Sequence, residues 1–348
     1  MINRLSIVAI LTMLLVLSTA TATAQETGDQ LAEGMVNPGY VEKPSWFKDS
    51  FLDIREDVSE AAAAGKRVLL YFYQDGCPYC ERLIKENMSQ QDIVNALREK
   101  FDVIAVNMWG DREVLNLEGK EITEKNYAVE NKIMFTPTLE FLNEQGARVL
   151  RLNGYVPPHK FKTALDFVSQ KKEKEGSFHD YLAKVPQSAG SGKLHIDSSY
   201  LQPPYDLSAR KNNKPLLVLF EQKNCPPCDE LHNDVLKQKG SPELLQKFDV
   251  VLLDTWSKTP LVTPQGKQLT AEEWSKQLNL TYVPSMVFFD AKGSEVFRAE
   301  GWLRTFHVQS SMEYVANGHY LEENEFQRFV EERAAKLREQ GIEVDLLR

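Results

Sequence analysis

The sequence predicts an α/β protein built from two tandem domains of the same fold, each with a central mixed sheet flanked by helices. Three observations lead to this prediction. The chain of 348 residues carries one pattern of landmarks twice. Each copy contains a Cys-X-X-Cys motif directly after a short apolar run. Apolar runs of strand length alternate with longer polar or amphipathic segments, as in domains that mix strands and helices.

The internal repeat keeps nearly the same spacing along its whole length. Residues 101–109 match residues 248–256, and residues 119–123 match residues 266–270, both at an offset of 147 residues. Further landmarks at this offset are Pro137 and Pro284, Gly146 and Gly293, and Gly154 and Gly301. The cysteine motifs are offset by 148 residues. A period of this length indicates a duplicated domain, because the repeats of solenoid proteins are far shorter.

Each element of the first repeat follows from a local pattern. The β-branched and aromatic run at 67–73 predicts a buried strand, and Cys77 opens a polar segment that predicts a helix. Gly146 predicts the turn of a hairpin. The predicted helices are 45–65, 77–83 with an extension past 85, 91–100, 123–131 and 159–170, and the predicted strands are 67–73, 102–108, 137–142 and 148–152. This order is that of a thioredoxin fold, and it recurs from residue 214 to about residue 317.

The N-terminal segment predicts export from the cytoplasm. An apolar run from Leu5 to Leu17 follows Arg4, and Ala22-Thr23-Ala24 forms a small-X-small site. This pattern is typical of a secretory signal peptide, here cleaved after Ala24. An uncleaved membrane anchor is the alternative, although the run is short for a span of about 20 residues. We therefore expect a periplasmic protein.

Composition divides the chain into segments. We predict a signal peptide at 1–24, a flexible leader at 25–44, a first thioredoxin-like domain at 45–185, a linker at 186–196 and a second thioredoxin-like domain with a C-terminal helix at 197–348. The polar, glycine-containing stretch at 186–192 is the best candidate for a hinge. The C-terminal helix is expected to pack on the second domain.

The charge balance argues against one class of partner. The chain has 41 basic and 50 acidic residues, which gives a net charge of −9. Proteins that bind nucleic acid present a basic surface to it. No nucleic acid partner is therefore expected.

All four cysteines of the chain belong to the motifs Cys77-Pro78-Tyr79-Cys80 and Cys225-Pro226-Pro227-Cys228. A helix N-terminus favours the thiolate, so Cys77 and Cys225 are expected to be exposed, acidic and nucleophilic. Cys80 and Cys228 lie one turn further along and are expected to resolve the mixed disulfide. Half of a zinc site and a purely structural disulfide are the alternatives. The pairs lie in separate domains, and a bridge across one helical turn closes too short a loop to stabilise much.

The residues between the cysteines are expected to tune the reduction potential, because they alter how well the thiolate is hydrogen-bonded. They are Pro78 and Tyr79 in the first motif and Pro226 and Pro227 in the second. Because the two pairs differ, we expect two different potentials.

Two prolines give a second signal of function. Pro137 follows Thr136, and Pro284 follows Val283, each at the start of a predicted strand. A proline there is unusual, because it cannot donate a hydrogen bond to the sheet. A cis peptide bond that faces the thiols explains this position, and an ordinary trans turn is the alternative. These two loops are expected to bind the substrate.

These residues carry a family resemblance. Both repeats resemble thioredoxins, and specifically the SoxW-type periplasmic thioredoxins of sulfur-oxidising bacteria. The resemblance covers residues 45–185 and 197 to about 337. In the first repeat it rests on the cysteine motif, Asn107-Met-Trp-Gly-Asp111, Gly119-Lys-Glu-Ile-Thr123, Thr136-Pro137-Thr138 and Leu152-Asn-Gly-Tyr155. It implies thiol–disulfide exchange with cysteine-containing partners.

The chain departs from the thioredoxin pattern at positions that bear on mechanism. Thioredoxins carry a buried aspartate six residues before the first cysteine, where this chain has Tyr71 and Leu219. Thr136 before its proline resembles disulfide isomerases, and Val283 resembles periplasmic oxidants. The direction of electron flow is therefore open.

Three functions follow from these observations. The first is a periplasmic oxidoreductase that reduces disulfides or cysteine-bound sulfur on exported cysteine-containing proteins. No flavin or nucleotide motif is present, so no cofactor beyond the redox-active disulfides and no metal is expected, and a membrane thiol is the expected electron donor. A disulfide isomerase and a chaperone-like binding module are the alternatives. Outside the motifs, His232 is interpreted as a surface residue.

Overall fold

The computed structural model describes residues 39–185, 189–210, 212–322, 325–342 and 344. These residues belong to one compact unit that spans Ala32–Arg348. The predicted signal peptide, most of the predicted leader and the start of the predicted linker lie outside the described residues. In the part of the chain that is described, no helix combines the length and the apolar character that a membrane span requires.

The first repeat contains the predicted elements and a small additional hairpin. Its helices are α1 (Ile54–Ala63), α2 (Pro78–Arg82), which continues as a π-helix (Leu83–Asn87), α3 (Gln91–Lys100), α4 (Glu124–Glu130), α5 (Pro158–Ser169) and α6 (Phe178–Leu182). Its strands are β1 (Arg67–Tyr73), β2 (Phe101–Asn107), β3 (Glu113–Leu115), β4 (Glu121–Thr123), β5 (Thr138–Leu142) and β6 (Arg148–Asn153).

The first sheet has the strand order β2-β1-β5-β6. Strand β1 runs parallel to β2 and antiparallel to β5, and β2 and β6 form the two edges of the sheet. Alternate residues of β1 enter two separate cores, with Leu69 and Tyr71 on one face and Leu70 and Phe72 on the other. A strand covered on both faces needs an apolar run without polar alternation, which its sequence provides.

The second repeat builds the same sheet, in the order β9-β8-β12-β13. The strands of the second repeat are β7 (Tyr205–Asp206), β8 (Leu216–Glu221), β9 (Asp249–Asp254), β10 (Pro260–Val262), β11 (Gln268–Thr270), β12 (Ser285–Phe289) and β13 (Glu295–Glu300). Its helices are α7 (Pro226–Asn233), α8 (Ser241–Leu245), α9 (Ala271–Gln277), α10 (Thr305–Ala316) and α11 (Phe326–Glu339). The prediction of two tandem thioredoxin-like domains is therefore confirmed.

The predicted helix at 45–65 is wrong in its first half. The helix begins only at Ile54, because Asp53 has an extended backbone and its carboxylate accepts two hydrogen bonds of 3.1 Å from the first free N–H groups. Just before it, Leu52 has a φ of +65°, and its N–H donates to the Ser50 hydroxyl oxygen at 2.7 Å. Such local side-chain bonds compete with the helix and set its start.

The two domains meet near the ends of their edge strands, β6 and β13. The backbone N–H of Trp302 donates to the Tyr155 carbonyl oxygen at 3.4 Å, and the two rings meet edge to face at 5.9 Å. These residues occupy equivalent positions of the repeat, 147 residues apart. Contact between matching positions is the pattern of a twofold-symmetric dimer interface, here formed within one chain.

The C-terminal helix α11 packs on the second domain, as predicted, and also contacts the first. Phe326 lies 4.6 Å from Phe297 and 5.3 Å from Phe135, measured between ring centroids, and Phe135 belongs to the first repeat. The Gln327 amide donates to the Met134 carbonyl oxygen at 3.2 Å. The helix therefore joins the two domains.

We expect Gly301→Ala to destabilise the protein more than the matched change Gly154→Ala. A Cβ atom at Gly301 would lie 2.5 Å from the Asn153 carbonyl oxygen, at a φ of +131°. At Gly154, with φ +73°, the nearest atom lies at 3.6 Å. Gly154→Ala should lower the free energy of unfolding by about 1–2 kcal/mol, and Gly301→Ala by about 3 kcal/mol or more. Urea unfolding measures both changes, and equal losses would contradict the close domain contact.

Candidate active site

The first dithiol centre lies where β1 gives way to α2. Cys77 has an extended backbone and occupies the N-cap of the helix, and Pro78 takes the first helical position, where a missing N–H costs nothing. Cys77 and Cys80 form a disulfide, and the Cys80 N–H donates to the Cys77 sulfur at 3.0 Å. The same N–H and the helix dipole would stabilise a thiolate on Cys77 after reduction.

A proline loop faces this disulfide. The Thr136–Pro137 bond is cis, as predicted. The Thr136 carbonyl oxygen lies 3.4 Å from the Cys77 sulfur, and the Thr136 hydroxyl donates to that sulfur at 3.3 Å. The loop is fixed from behind, because the Gly154 N–H donates to the Pro137 carbonyl oxygen at 2.8 Å. The residues that the sequence singled out in this domain are therefore brought together.

The second centre repeats this arrangement. Cys225 occupies the N-cap of α7 and forms a disulfide with Cys228, whose N–H donates to the Cys225 sulfur at 3.1 Å. The Val283–Pro284 bond is cis, and the Val283 carbonyl oxygen lies 3.8 Å from the Cys225 sulfur. Valine has no hydroxyl, so this loop lacks the contact that Thr136 makes in the first domain.

The expectation that the first cysteines are exposed is wrong for this oxidised form. Cys77 is 3% exposed and Cys225 is 2% exposed. The second domain covers the first centre, where the Tyr79 hydroxyl lies 3.4 Å from His307 Nδ1 and accepts a hydrogen bond of 3.4 Å from the Arg304 N–H. A residue of the first motif is thus also a residue of the domain interface.

Cys77 opens onto a cavity of about 240 Å³ that both domains line. Tyr79, Thr136 and His307 line this cavity together with Ala334 of α11. The exposed side chains of Asp75, Glu331 and Arg338 also line this cavity. Access to the first centre is therefore through a pocket that the second domain completes.

Part of the predicted linker covers the second centre. Gly190 lies so close to this motif that a Cβ atom there would be 2.5 Å from the Cys225 nitrogen. The Ser191 N–H donates to the Asp229 carboxylate at 2.8 Å, and His195 Nε2 lies 2.7 Å from the same carboxylate. The described part of the linker is therefore fastened to the helix of the second motif.

Sequence comparison decides the family. The model of the thioredoxin-like domain matches residues 54–169 and residues 207–316, which together exceed half of the chain. The chain belongs to the thioredoxin-like domain family. With a disulfide-forming Cys-X-X-Cys motif in each matched region, this thioredoxin-like protein is a thiol–disulfide oxidoreductase.

Solved structures of similar proteins include three bacterial examples. A thioredoxin-fold protein from Helicobacter pylori is 28% identical, with 34% of this chain and 79% of that chain covered and a TM-score of 0.30. A thioredoxin from Thermus thermophilus is 28% identical, with 36% and 89% covered and a TM-score of 0.28. The DsbD C-terminal domain from Neisseria meningitidis is 20% identical, with 33% and 93% covered and a TM-score of 0.25. No curated protein sequence matches the chain.

The interpretation of His232 as a surface residue is wrong. Its side chain is 9% exposed, and its Nε2 lies 2.7 Å from a carboxylate oxygen of Glu221, whose side chain is fully buried. The ring of His195 stacks on the His232 ring at 4.9 Å. A glutamate at the end of a predicted buried strand was the available sequence signal for this pair, because an isolated buried carboxylate is costly and requires a partner.

Each thioredoxin-like domain also places a basic side chain against the proline loop or motif of the other. His307 of the second domain contacts Tyr79, and Lys160, at the equivalent position of the first, lies 4.2 Å above the Tyr282 ring. Burial lowers the pKa of Lys160 to about 8. Burial, reinforced by the positive charge of Arg333, lowers the pKa of His307 to about 4. The imidazole beside the first centre is therefore neutral at pH 7.

We expect His307→Gln to reduce the acid sensitivity of folding. Between pH 6.5 and about pH 4 the unfolded chain protonates this imidazole while the folded chain does not. The free energy of unfolding therefore falls as the pH falls through this window, by up to about 3 kcal/mol from this group. Urea unfolding at pH 7 and pH 4.5 should show a smaller difference for the variant than for the parent. If the free energy of unfolding changed equally between these pH values in variant and parent, the lowered pKa of His307 would be contradicted.

Proposed function

We propose that this thioredoxin-like protein reduces disulfides or cysteine-bound sulfur on exported partner proteins, with both dithiol centres active. One observation carries the proposal. Each disulfide caps a helix N-terminus beside a cis-proline loop, with a backbone N–H within 3.1 Å of the first sulfur. This arrangement stabilises a thiolate on the residue that attacks, which is the requirement for thiol–disulfide exchange.

The reaction proceeds in two balanced steps at each reduced centre. The thiolate of Cys77 or Cys225 attacks a sulfur of the client disulfide, forms a mixed disulfide and releases one client thiolate. Cys80 or Cys228 then loses its proton and attacks the first cysteine. This step closes the motif disulfide and releases the second client thiolate. Two electrons pass from the dithiol to the client.

The proline loops are proposed to hold the client chain beside the attacking sulfur. Thr136 and Val283 direct their carbonyl oxygens at that sulfur, and Pro137 and Pro284 follow them. The cavity of about 240 Å³ beside Cys77 is small for a polypeptide, so a client chain that reaches this cysteine must displace the second-domain residues packed on Tyr79. Domain opening is therefore part of the proposed cycle at the first centre.

Reduction of the two disulfides requires an outside electron source. We propose a membrane thiol donor and no cofactor besides the redox-active disulfides. The N-terminal segment supports action in the periplasm, where such a donor meets exported clients.

Disulfide isomerisation is the second candidate. A cleft of about 1240 Å³, lined by β6 and β13 as well as other parts of both domains, is large enough for a client loop. Recovery of activity by a scrambled substrate without added oxidant would favour this reading.

The matched variants Cys77→Ser and Cys225→Ser test the proposed reaction. Each should abolish turnover at its own centre, so the double variant should reduce insulin at least about a hundredfold more slowly than the parent. Cys80→Ser and Cys228→Ser should instead trap a mixed disulfide with insulin, seen by mass spectrometry. Unchanged insulin reduction in the double variant would contradict the proposal.

Export is tested separately by N-terminal sequencing of the protein from the periplasmic fraction. We expect the mature chain to begin at Gln25. Replacing both small residues of the site, Ala22→Glu with Ala24→Glu, should block cleavage and leave the precursor at the membrane. Retention of the parent protein in the cytoplasm would contradict the assigned compartment.

A further inference from the structure

A buried acid lies beneath the second centre and has no counterpart in the first domain. Glu221 is the last residue of β8 and is fully buried. One carboxylate oxygen lies 2.7 Å from His232 Nε2, and the other is buried without a hydrogen-bond partner among the described residues. Few buried polar atoms in a folded protein lack a partner, so this oxygen needs an explanation.

The alternation of β8 directs Glu221 toward the helix that carries the dithiol. Leu217 and Leu219 share its face of the strand and pack against Leu231 of α7. This face is therefore the one that the second motif covers. The acid lies two residues beyond Leu219 on this face and four residues before Cys225.

Helix geometry places His232 beside the resolving cysteine. His232 follows Cys228 by four residues, and both lie within α7. Side chains at this spacing are neighbours on one face, about 5–6 Å apart between their Cβ atoms. The Cβ of a helical residue also tilts toward the N-terminus, so the imidazole leans toward the turn of Cys228.

The first domain lacks both groups. At the offset of 148 residues that relates the motifs, Tyr73 replaces Glu221 and Ile84 replaces His232. The scaffold is otherwise the same, because β1 and β8 occupy equivalent positions in the two sheets. The acid–imidazole pair is therefore not needed to build the fold.

Other ionisable groups surround the pair. His195 stacks on His232 and contacts Asp229, and the ring of Tyr200 lies 6.5 Å from the His232 ring. Burial, with the negative charges of Glu221 and Asp197, raises the pKa of Tyr200, so this hydroxyl remains neutral. The described part of the linker covers one face of His232 through the His195 ring.

We propose that the Glu221–His232 pair accepts the proton of Cys228 when this cysteine resolves the mixed disulfide at the second centre. The inference rests on the proposed function and adds a proton acceptor to it. Cys228 is 1% exposed, so bulk water has little access to its thiol, and apolar burial disfavours the thiolate. The proton passes to the pair, the Cys228 thiolate bonds to the Cys225 sulfur, and the client thiolate leaves and is protonated by solvent.

The test separates the two chemical steps in a protein that retains only the second centre. The background variant carries Cys77→Ser and Cys80→Ser. The probe is the aromatic disulfide dithiobis(nitrobenzoate), which releases one coloured thiolate when Cys225 attacks and another when Cys228 resolves. Stopped-flow absorbance then gives both rates as a function of pH.

Glu221→Gln should slow the second release about a hundredfold at pH 7 and leave the first within about twofold. The deficit should shrink above pH 9, where hydroxide removes the thiol proton, and Glu221→Asp should recover part of the rate. The matched control is Tyr73→Phe in a protein that retains only the first centre, and both of its rates should stay within about twofold of the parent.

A second release that matches the parent across the pH range, in a folded Glu221→Gln variant, would overturn the inference and leave the proposed function intact. His232→Gln decides the matter if Glu221→Gln fails to fold, and parent-like resolution in that variant would likewise overturn it. Absence of any second release from the parent background would instead show that the second centre is not a working dithiol. That result would overturn the proposed function there, and the inference with it.

Discussion

The whole arrangement depends on one junction, where a strand buried on both faces ends shortly before a helix begins. Strands β1 and β8 are each held between a parallel and an antiparallel neighbour, so their ends have little freedom. The following helix then presents its free N–H groups to the first sulfur of the motif. The antiparallel neighbour begins directly after the cis-proline. Strand pairing therefore fixes the positions of both the first sulfur and the proline loop that faces it.

The same scaffold gives the two centres different surroundings. The first is enclosed by another domain, through a tyrosine of its own motif and a neutral imidazole from α10. The second is enclosed by a segment just upstream of its own domain, with a carboxylate and two imidazoles nearby. The chemistry of a thiol follows the charges and donors around it. The two domains therefore keep the same motif and proline loop, while the groups around each centre differ. Two centres with different surroundings can differ in reactivity.

Local patterns in the sequence predicted the central strands, the motif helices, the repeat and both cis-prolines, because each depends on neighbours in the chain. Other features depend on distant residues. The hairpin of β3 and β4 has only three residues per strand, too few to show a period. The start of α1 depends on hydrogen bonds around Asp53. The burial of Cys77 and Cys225 comes from the other domain and from the linker, and the Glu221–His232 pair requires strand and helix to be docked. Of these contacts only the Glu221–His232 pair leaves a signal in the sequence, the glutamate at the end of a buried strand, and that signal does not identify its partner.

Tyr79 carries a consequence for how oxidation state and domain arrangement are linked. It stands between the two cysteines of the first motif and also packs against Trp302 and His307 of the second domain. If closing the disulfide changes the affinity of the domains for each other by some factor, then docking the domains changes the dithiol–disulfide equilibrium by that same factor. Domain docking and the redox equilibrium of the first centre then share one coupling free energy. A client that separates the domains therefore changes the reduction potential of the centre it approaches.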